Sequence, residues 1–184
     1  MAPAPPLMTV GQYFKTPETV APSELAHGVL RVADAPTPLH QSTVAQFFVA
    51  LRAHVNERRL GRVWLSPLDV VLDEAEALIV QPDLMFISSA RAWIVRDRVR
   101  GAPDLVIEVL SPHPRVGRNE EHLLWFAEHG VRECWLVYQE LSRVGVISFD
   151  GRRVGEPRLF GVRDRITSGV LPDFSMSLGQ VLDL

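Results

Sequence analysis

Two acidic residues stand where a carboxylate is costly. Glu108 lies inside the run Leu105–Leu110, whose other five members are aliphatic. Such a run is typical of a strand buried on both faces. A buried carboxylate is unfavourable by roughly several kcal/mol unless a cation or hydrogen-bond donors meet it. Asp83 precedes another apolar run, Leu84–Ile87. We expect the two acids to converge on one divalent cation, because Mg²⁺ prefers oxygen ligands of this kind.

Each acid also has a structural interpretation. Asp83 follows Pro82 and suits a turn at the entry to a strand. Glu108 could instead form a buried ion pair with Arg115 or Arg118. Asp104, which follows a proline, is better explained by capping or turn formation than by binding a second metal ion.

The elements that must position these acids follow from the apolar periodicity. The pattern predicts a short helix at 9–14, a helix at 39–59 capped by Gly61, and a helix at 119–129. It also predicts strands at 27–32, 62–65, 70–72, 78–80, 84–88, 105–110, 133–138, 144–149, 157–160 and 164–167, with a final amphipathic turn at 178–182. The unit at 105–138 should be a right-handed crossover joining parallel strands. The order of elements predicts an α/β fold with one mixed sheet flanked by helices.

Composition sets the remaining bounds. The chain has 184 residues, of which 47% are hydrophobic, and a net charge of −3. This suits a proline-rich tail and lead-in at 1–20 and one domain at 21–184. The charge excludes a protein that coats nucleic acid by bulk attraction. No run reaches the ~20 apolar residues of a membrane span, and the start lacks a signal core, so we expect a cytoplasmic protein. Cys134, the single cysteine, should be a buried and inert thiol.

Three segments together resemble the Uma-two family of restriction-endonuclease-like proteins, in the PD-(D/E)XK nuclease superfamily. They are Gln81–Leu84, Gly101–Pro112 and Gly130–Val137, with further matches at His40–Gln41, Ser66–Val70 and Leu171–Phe174. The resemblance covers about residues 20–184. It implies a restriction-endonuclease-like core that hydrolyses DNA phosphodiester bonds with Mg²⁺ or Mn²⁺. It also implies that Asp83 and Glu108 bind the metal ion.

The resemblance places the family's catalytic lysine at His122. The only lysine of this chain is Lys15, near the N-terminus. Asn119, Tyr138 and Val29 also replace acids that the family often carries. His122 could serve as a base for water, since a histidine pKa of roughly 6.5 suits that work, or it could be an ordinary helix residue. The alternative function is a catalytically degenerate nuclease fold that binds nucleic acid or a protein.

The segment between the two acids is rich in arginine. Arg96, Arg98 and Arg100 could contact phosphate, because guanidinium groups match phosphate oxygens; the alternative is a solvated loop. Trp93 could stack a base or anchor the core. Glu24 and His40 could approach the site from the N-terminal part. A homodimer is compatible with cleavage of two strands.

Overall fold

The structure, a computed structural model, describes residues 7–17, 21–110 and 119–182. Its helices are α1 (Val10–Tyr13), α2 (Pro38–Glu57), α3 (Asn119–His129) and α4 (Leu178–Val181). Its strands are β1 (Ser23–Ala26), β2 (Val29–Val32), β3 (Gly61–Leu65), β4 (Val70–Asp73), β5 (Leu78–Val80), β6 (Leu84–Ser88), β7 (Val99–Arg100), β8 (Leu105–Leu110), β9 (Glu133–Tyr138), β10 (Arg143–Asp150), β11 (Arg153–Val154), β12 (Arg158–Phe160), β13 (Arg165–Thr167) and β14 (Ser175–Ser177). Short 3₁₀ helices span Ser89–Ile94 and Gln139–Leu141.

The strands form a large sheet, a smaller one and a hairpin. The seven-stranded sheet has the order β11-β10-β9-β8-β6-β3, with β12 also paired to β10. The five-stranded sheet has the order β2-β1-β5-β4-β7, and β13 pairs with β14. The pairing of β8 with β9 is parallel, and α3 connects these two strands. The predicted crossover between parallel strands is therefore confirmed, as is the mixed sheet flanked by helices.

The two faces of the seven-stranded sheet are covered by different elements. On one face, Phe47 of α2 packs with Ile107 and Trp135. On the other face, Phe126 of α3 packs with Val106 and with residues of the five-stranded sheet. Side chains alternate along a strand, so Glu108 shares the face of Val106. The carboxylate of Glu108 therefore points toward α3.

The register between β6 and β8 brings the two acids together. These strands are antiparallel, and Leu84 lies opposite Ile107. Continuing that register by one residue places Asp83 opposite Glu108. Directly opposed residues of antiparallel strands have Cβ atoms about 5 Å apart. The convergence of the two acids is thus a consequence of strand pairing.

Local predictions differ from the structure at the ends of elements. Gly61 does not cap α2, whose C-cap is Arg58. Arg59 adopts the left-handed conformation there, with φ of 55°. Gly61 instead begins β3, where a Cβ atom would collide with the carbonyl oxygen of Ile87. This close approach of two backbones is a frequent reason for glycine in a strand.

Some strands were not predicted because they are short. The segment 27–32 was predicted as one strand, but His27 and Gly28 form the turn of a hairpin between β1 and β2. The connection at 89–104 contains a 3₁₀ helix and β7, and β14 was not predicted. Residues 1–6 of the predicted tail, the prolines that should end β8, and Arg115 and Arg118 lie outside the described residues. Across the described ranges, no helix combines the length and the apolar character needed to cross a bilayer.

Candidate functional site

Asp83, the residue immediately before β6, lies beside Glu108 of β8. The backbone N–H of Asp83 donates to Oε2 of Glu108 at 3.4 Å. The carboxylate of Asp83 reaches back across the strands, and its Oδ2 accepts the N–H of Val109 at 2.8 Å. Each acid is therefore tied to the backbone of the other strand, which keeps the two carboxyl groups in one place.

His40 approaches Asp83 from the start of α2. Its Nε2 lies 3.2 Å from Oδ2 of Asp83. Burial alone would lower the pKa of His40, but the hydrogen bond to Asp83 and its negative charge outweigh burial, and the pKa is raised above its ordinary value. The helix begins with Thr37 as N-cap, whose hydroxyl accepts the N–H of His40 at 3.2 Å. The cap thus fixes the backbone that carries this side chain.

His122 lies between two carboxylates on the other side of the sheet. Its Nε2 is 2.8 Å from Oε2 of Glu24, and its Nδ1 is 3.8 Å from Oε1 of Glu108. Burial would lower the pKa of His122, but the hydrogen bond to Glu24 and the charges of both acids raise it above its ordinary value. The ring also packs against Trp125, with centroids 5.2 Å apart. His122 therefore favours the cationic form.

Glu24 extends this arrangement toward the surface. It is 5% exposed and lies on β1, directly opposite Arg31 of β2. Its Oε1 accepts Nη1 of Arg31 at 3.1 Å, and the same Nη1 lies 3.2 Å from Oε2 of Glu121. Acidic and basic side chains therefore alternate from Glu121 near the surface through Arg31, Glu24 and His122 to Glu108.

Glu108 carries the largest electrostatic perturbation of the site. Burial and the charge of Asp83 raise its pKa to about 8, although the charge of His122 opposes that rise. Its side chain is 17% exposed. Without a cation beside it, Glu108 therefore favours its protonated, neutral form. A divalent cation would displace that proton.

The raised pKa of Glu108 has a measurable effect on stability. Between pH 4.5, its ordinary value, and about pH 8, the unfolded state releases a proton that the folded state keeps. The protonated Glu108 therefore makes its full contribution to the free energy of unfolding below pH 4.5, and this contribution is lost as the pH rises through 8. Glu108→Gln should therefore stabilise the metal-free protein relative to wild type by up to about 5 kcal/mol above pH 8, at about 1.4 kcal/mol per unit of the pKa difference. Urea unfolding with a chelator, from about pH 5 to about pH 9, measures the difference.

The exposed Glu128 on α3 offers a matched control for this measurement. Glu128→Gln removes an exposed carboxylate, so comparison with it separates the effect of burial from the loss of one carboxyl group on the protein. If the difference between Glu108→Gln and wild type is the same at every pH, Glu108 does not titrate at a raised pKa.

The donor set suits a small divalent cation. Among the described residues, no group of three or more His, Cys, Asp or Glu side chains is arranged to enclose a metal ion. Mg²⁺ is usually held by one or two carboxylates, with water and substrate phosphate completing its shell. No described residue donates a hydrogen bond to Oδ1 of Asp83, and a nearby cation would favour the ionised form of the buried Glu108. The pair Asp83 and Glu108 therefore fits such an ion.

The predicted arginines lie against other acids. Arg98 donates to Asp69 at 3.1 Å, and Arg100 bonds Asp97 at 3.3 Å and Glu74 at 3.2 Å. Arg96 is exposed. Contact of Arg96, Arg98 or Arg100 with phosphate stays a prediction, although the carboxylates already occupy two of these guanidinium groups.

Trp93 and Asp104 lie away from the acid pair. Trp93 is 66% exposed, which excludes the core-anchor interpretation. Asp104 is buried, accepts the N–H of Ser88 at 2.8 Å, and lies 3.6 Å from both Arg91 and Arg132. It precedes Glu108 by four residues on an extended strand, a separation of about 13 Å. Asp104 is thus a structural residue at the far end of β8.

Sequence reasoning placed Glu24 and His40 as possible neighbours of the site, and both are there. It missed Arg31 and Glu121, which complete the row of charges. A signal for Arg31 was present, because a two-residue turn at His27 and Gly28 would pair positions 24 and 31 across a hairpin. Reading 27–32 as one strand concealed that pairing.

One solved structure and one family model resemble this chain. A search of curated proteins found no relative. Among solved structures, the chain is similar to a putative nuclease belonging to DUF820 from Anabaena variabilis, with 19% sequence identity and a TM-score of 0.78. That similarity covers 96% of this chain and 98% of the other. It shows that the two proteins share a fold, as the restriction-endonuclease-like prediction requires.

The family comparison covers almost the same span. A family model described as "Uma2: Putative restriction endonuclease" matches residues 10–179, which include both acids, both site histidines and Glu24. This is the Uma-two family whose motifs the sequence carries. The chain therefore belongs to the Uma2 family of putative restriction endonucleases.

Proposed function

We propose that this protein is a metal-dependent endonuclease that hydrolyses DNA phosphodiester bonds. Membership of a nuclease family supports this proposal. The observation that carries it is the pairing of Asp83 with Glu108, whose backbone-to-carboxylate contact measures 3.4 Å, beside a histidine that favours the cationic form. Two acids and one cation form the minimum set for phosphodiester chemistry in this fold.

Asp83 and Glu108 would hold the metal ion, Mg²⁺ or Mn²⁺. When bound, that ion supplies a Lewis acid that neutralises charge on the scissile phosphate and lowers the pKa of water. Asp83 contributes Oδ1, which no described residue occupies. Glu108 contributes a carboxylate whose ionised form a bound cation would favour.

His122 would take the place of the usual lysine. Its Nε2 is engaged by Glu24 at 2.8 Å, so Nδ1 is the nitrogen that faces Glu108. A carboxylate on one ring nitrogen fixes the orientation and proton of the other, as in hydrolytic triads. Because the pKa of His122 is raised, we assign Nδ1–H as a donor to the substrate phosphate rather than as a resting base.

Cleavage of supercoiled plasmid tests the proposal. The purified protein should nick or linearise the plasmid with Mg²⁺ or Mn²⁺, because either ion can occupy the carboxylate pair. A chelator should stop the reaction, and restored metal should restart it. A closed circle offers no ends, so any product identifies an endonuclease. Absence of product with both metals, at several pH values, would contradict the proposal.

A binding module is the second candidate. The feature that favours it is the replacement of the family's lysine by His122. The only lysine of the chain, Lys15, lies in the turn after α1. Such a module would shift DNA in a gel, or bind a protein, without cutting DNA under any metal condition. A homodimer, cytoplasmic location and arginine contacts with phosphate stay predictions under either candidate.

A further inference from the structure

The two oxygens of the Asp83 carboxylate have different surroundings. Oδ2 accepts the N–H of Val109 at 2.8 Å and lies 3.2 Å from Nε2 of His40. Oδ1 receives no hydrogen bond from the described part of the chain. The terminal torsion of an aspartate is broad and roughly two-fold, so a single donor fixes it weakly. Two donors on Oδ2 select one orientation and leave Oδ1 pointing away from both.

His40 directs Nε2 at Asp83, and the backbone of Val109 adds a second polar contact. The residue is 8% exposed, and its Nδ1 is buried without a hydrogen-bond partner among the described residues. A buried nitrogen without a partner is unfavourable, so an apolar side chain would serve packing better. The histidine is therefore explained by its contact with Asp83 rather than by the core.

We infer that His40 is a positioning residue, which holds the Asp83 carboxylate so that Oδ1 is presented to the metal ion. The inference rests on the proposed metal site for its consequence, but the orientation of Asp83 can be tested without metal. Hydrogen bonds to a metal-ligating side chain typically change metal affinity by about 10-fold to 100-fold. We expect an effect of that size from His40.

Two substitutions separate orientation from packing. His40→Leu removes the donor and fills the space, while His40→Gln retains an N–H that can reach Oδ2. In calorimetric titration, Mn²⁺ should bind His40→Leu about 10-fold to 100-fold more weakly than wild type. His40→Gln should recover most of the affinity. His54→Leu is the matched control, since His54 lies on the same helix about 21 Å away and contacts the carbonyl oxygen of Pro172.

A second measurement needs no metal. The Val109 amide donates to the same Oδ2, so a freely rotating Asp83 carboxylate should expose it. In a chelator, hydrogen exchange of this amide should be about fivefold faster in His40→Leu than in wild type, and near wild type in His40→Gln. Other β8 amides report any general loss of structure and should exchange as in wild type.

The outcomes distinguish this inference from the proposed function. If wild type binds Mn²⁺ and His40→Leu binds it equally well, with unchanged exchange at Val109, the positioning role is overturned while the metal site stands. If wild type binds no Mn²⁺, the proposed metal site fails. The exchange at Val109 then still decides the orientation, since unchanged exchange in His40→Leu overturns it and faster exchange that glutamine reverses supports it.

Discussion

Asp83→Asn combined with Glu108→Gln is expected to lower the rate of plasmid cleavage by about 10³-fold, since a bound metal contributes several kcal/mol at about 1.4 kcal/mol per tenfold. Both substitutions keep the size and planarity of the side chain. The asparagine can still accept the N–H of Val109, which Asp83 accepts at 2.8 Å in wild type. Single-turnover cleavage with saturating Mg²⁺ measures the loss.

Calorimetric titration of Mn²⁺ and Mg²⁺ accompanies that assay and needs no knowledge of the target DNA. Binding to wild type that the double variant lacks would support a metal site between these two acids. Glu128→Gln, on the exposed side of α3, should bind metal and cleave as wild type does. A double variant that cuts at the wild-type rate would place the chemistry elsewhere in the molecule.

His122→Leu should lower the free energy of unfolding by about 2 kcal/mol near neutral pH, because Glu24 keeps Arg31 but loses its hydrogen bond with the ring of His122. Glu24 is 5% exposed and would lose its contact of 2.8 Å. His122→Lys should keep a cation beside Glu24 and raise cleavage by ~10-fold, since the ordinary pKa of lysine lies roughly four units above that of histidine and its ammonium can bind phosphate. Urea unfolding and plasmid cleavage measure the two effects.

His129→Leu provides the comparison on the same helix. His129 bonds the carbonyl oxygen of Trp125 and lies 3.8 Å from Asp73, so its loss should cost only about 1 kcal/mol and leave cleavage unchanged. If His122→Lys is correctly folded and its turnover is equal to or below that of wild type, His122 does not occupy the position of the lysine.

The acid pair was predictable because its determinants are local. Glu108 of β8 interrupts an apolar run, Asp83 immediately precedes β6, and these two strands are neighbours in the sheet with only β7 between them in the chain. The helix that carries His122 follows β8 directly, so periodicity and the crossover rule were sufficient to place it near the acids. Each of these inferences needed only one short segment at a time.

The remaining site residues were harder to place because their contacts are long-range. Glu24 and His122 are 98 residues apart in the chain, and His40 and Asp83 are 43 apart. No local sequence pattern specifies which strand or helix will contact another one that is distant in the chain. The same limit applies to Arg98, whose partner Asp69 precedes β4, because the parallel pairing of β4 with β7 leaves no signature in either short strand.

The carboxylates of the site come from two different sheets. Asp83 and Glu108 belong to the seven-stranded sheet, whereas Glu24 belongs to β1 of the five-stranded sheet. Proteins open locally in cooperative units of unequal stability. Opening of the smaller sheet would separate Glu24 from His122 and leave Asp83 paired with Glu108. If a metal ion binds between these two acids, as proposed, its occupancy would not report whether Glu24 holds His122 in place.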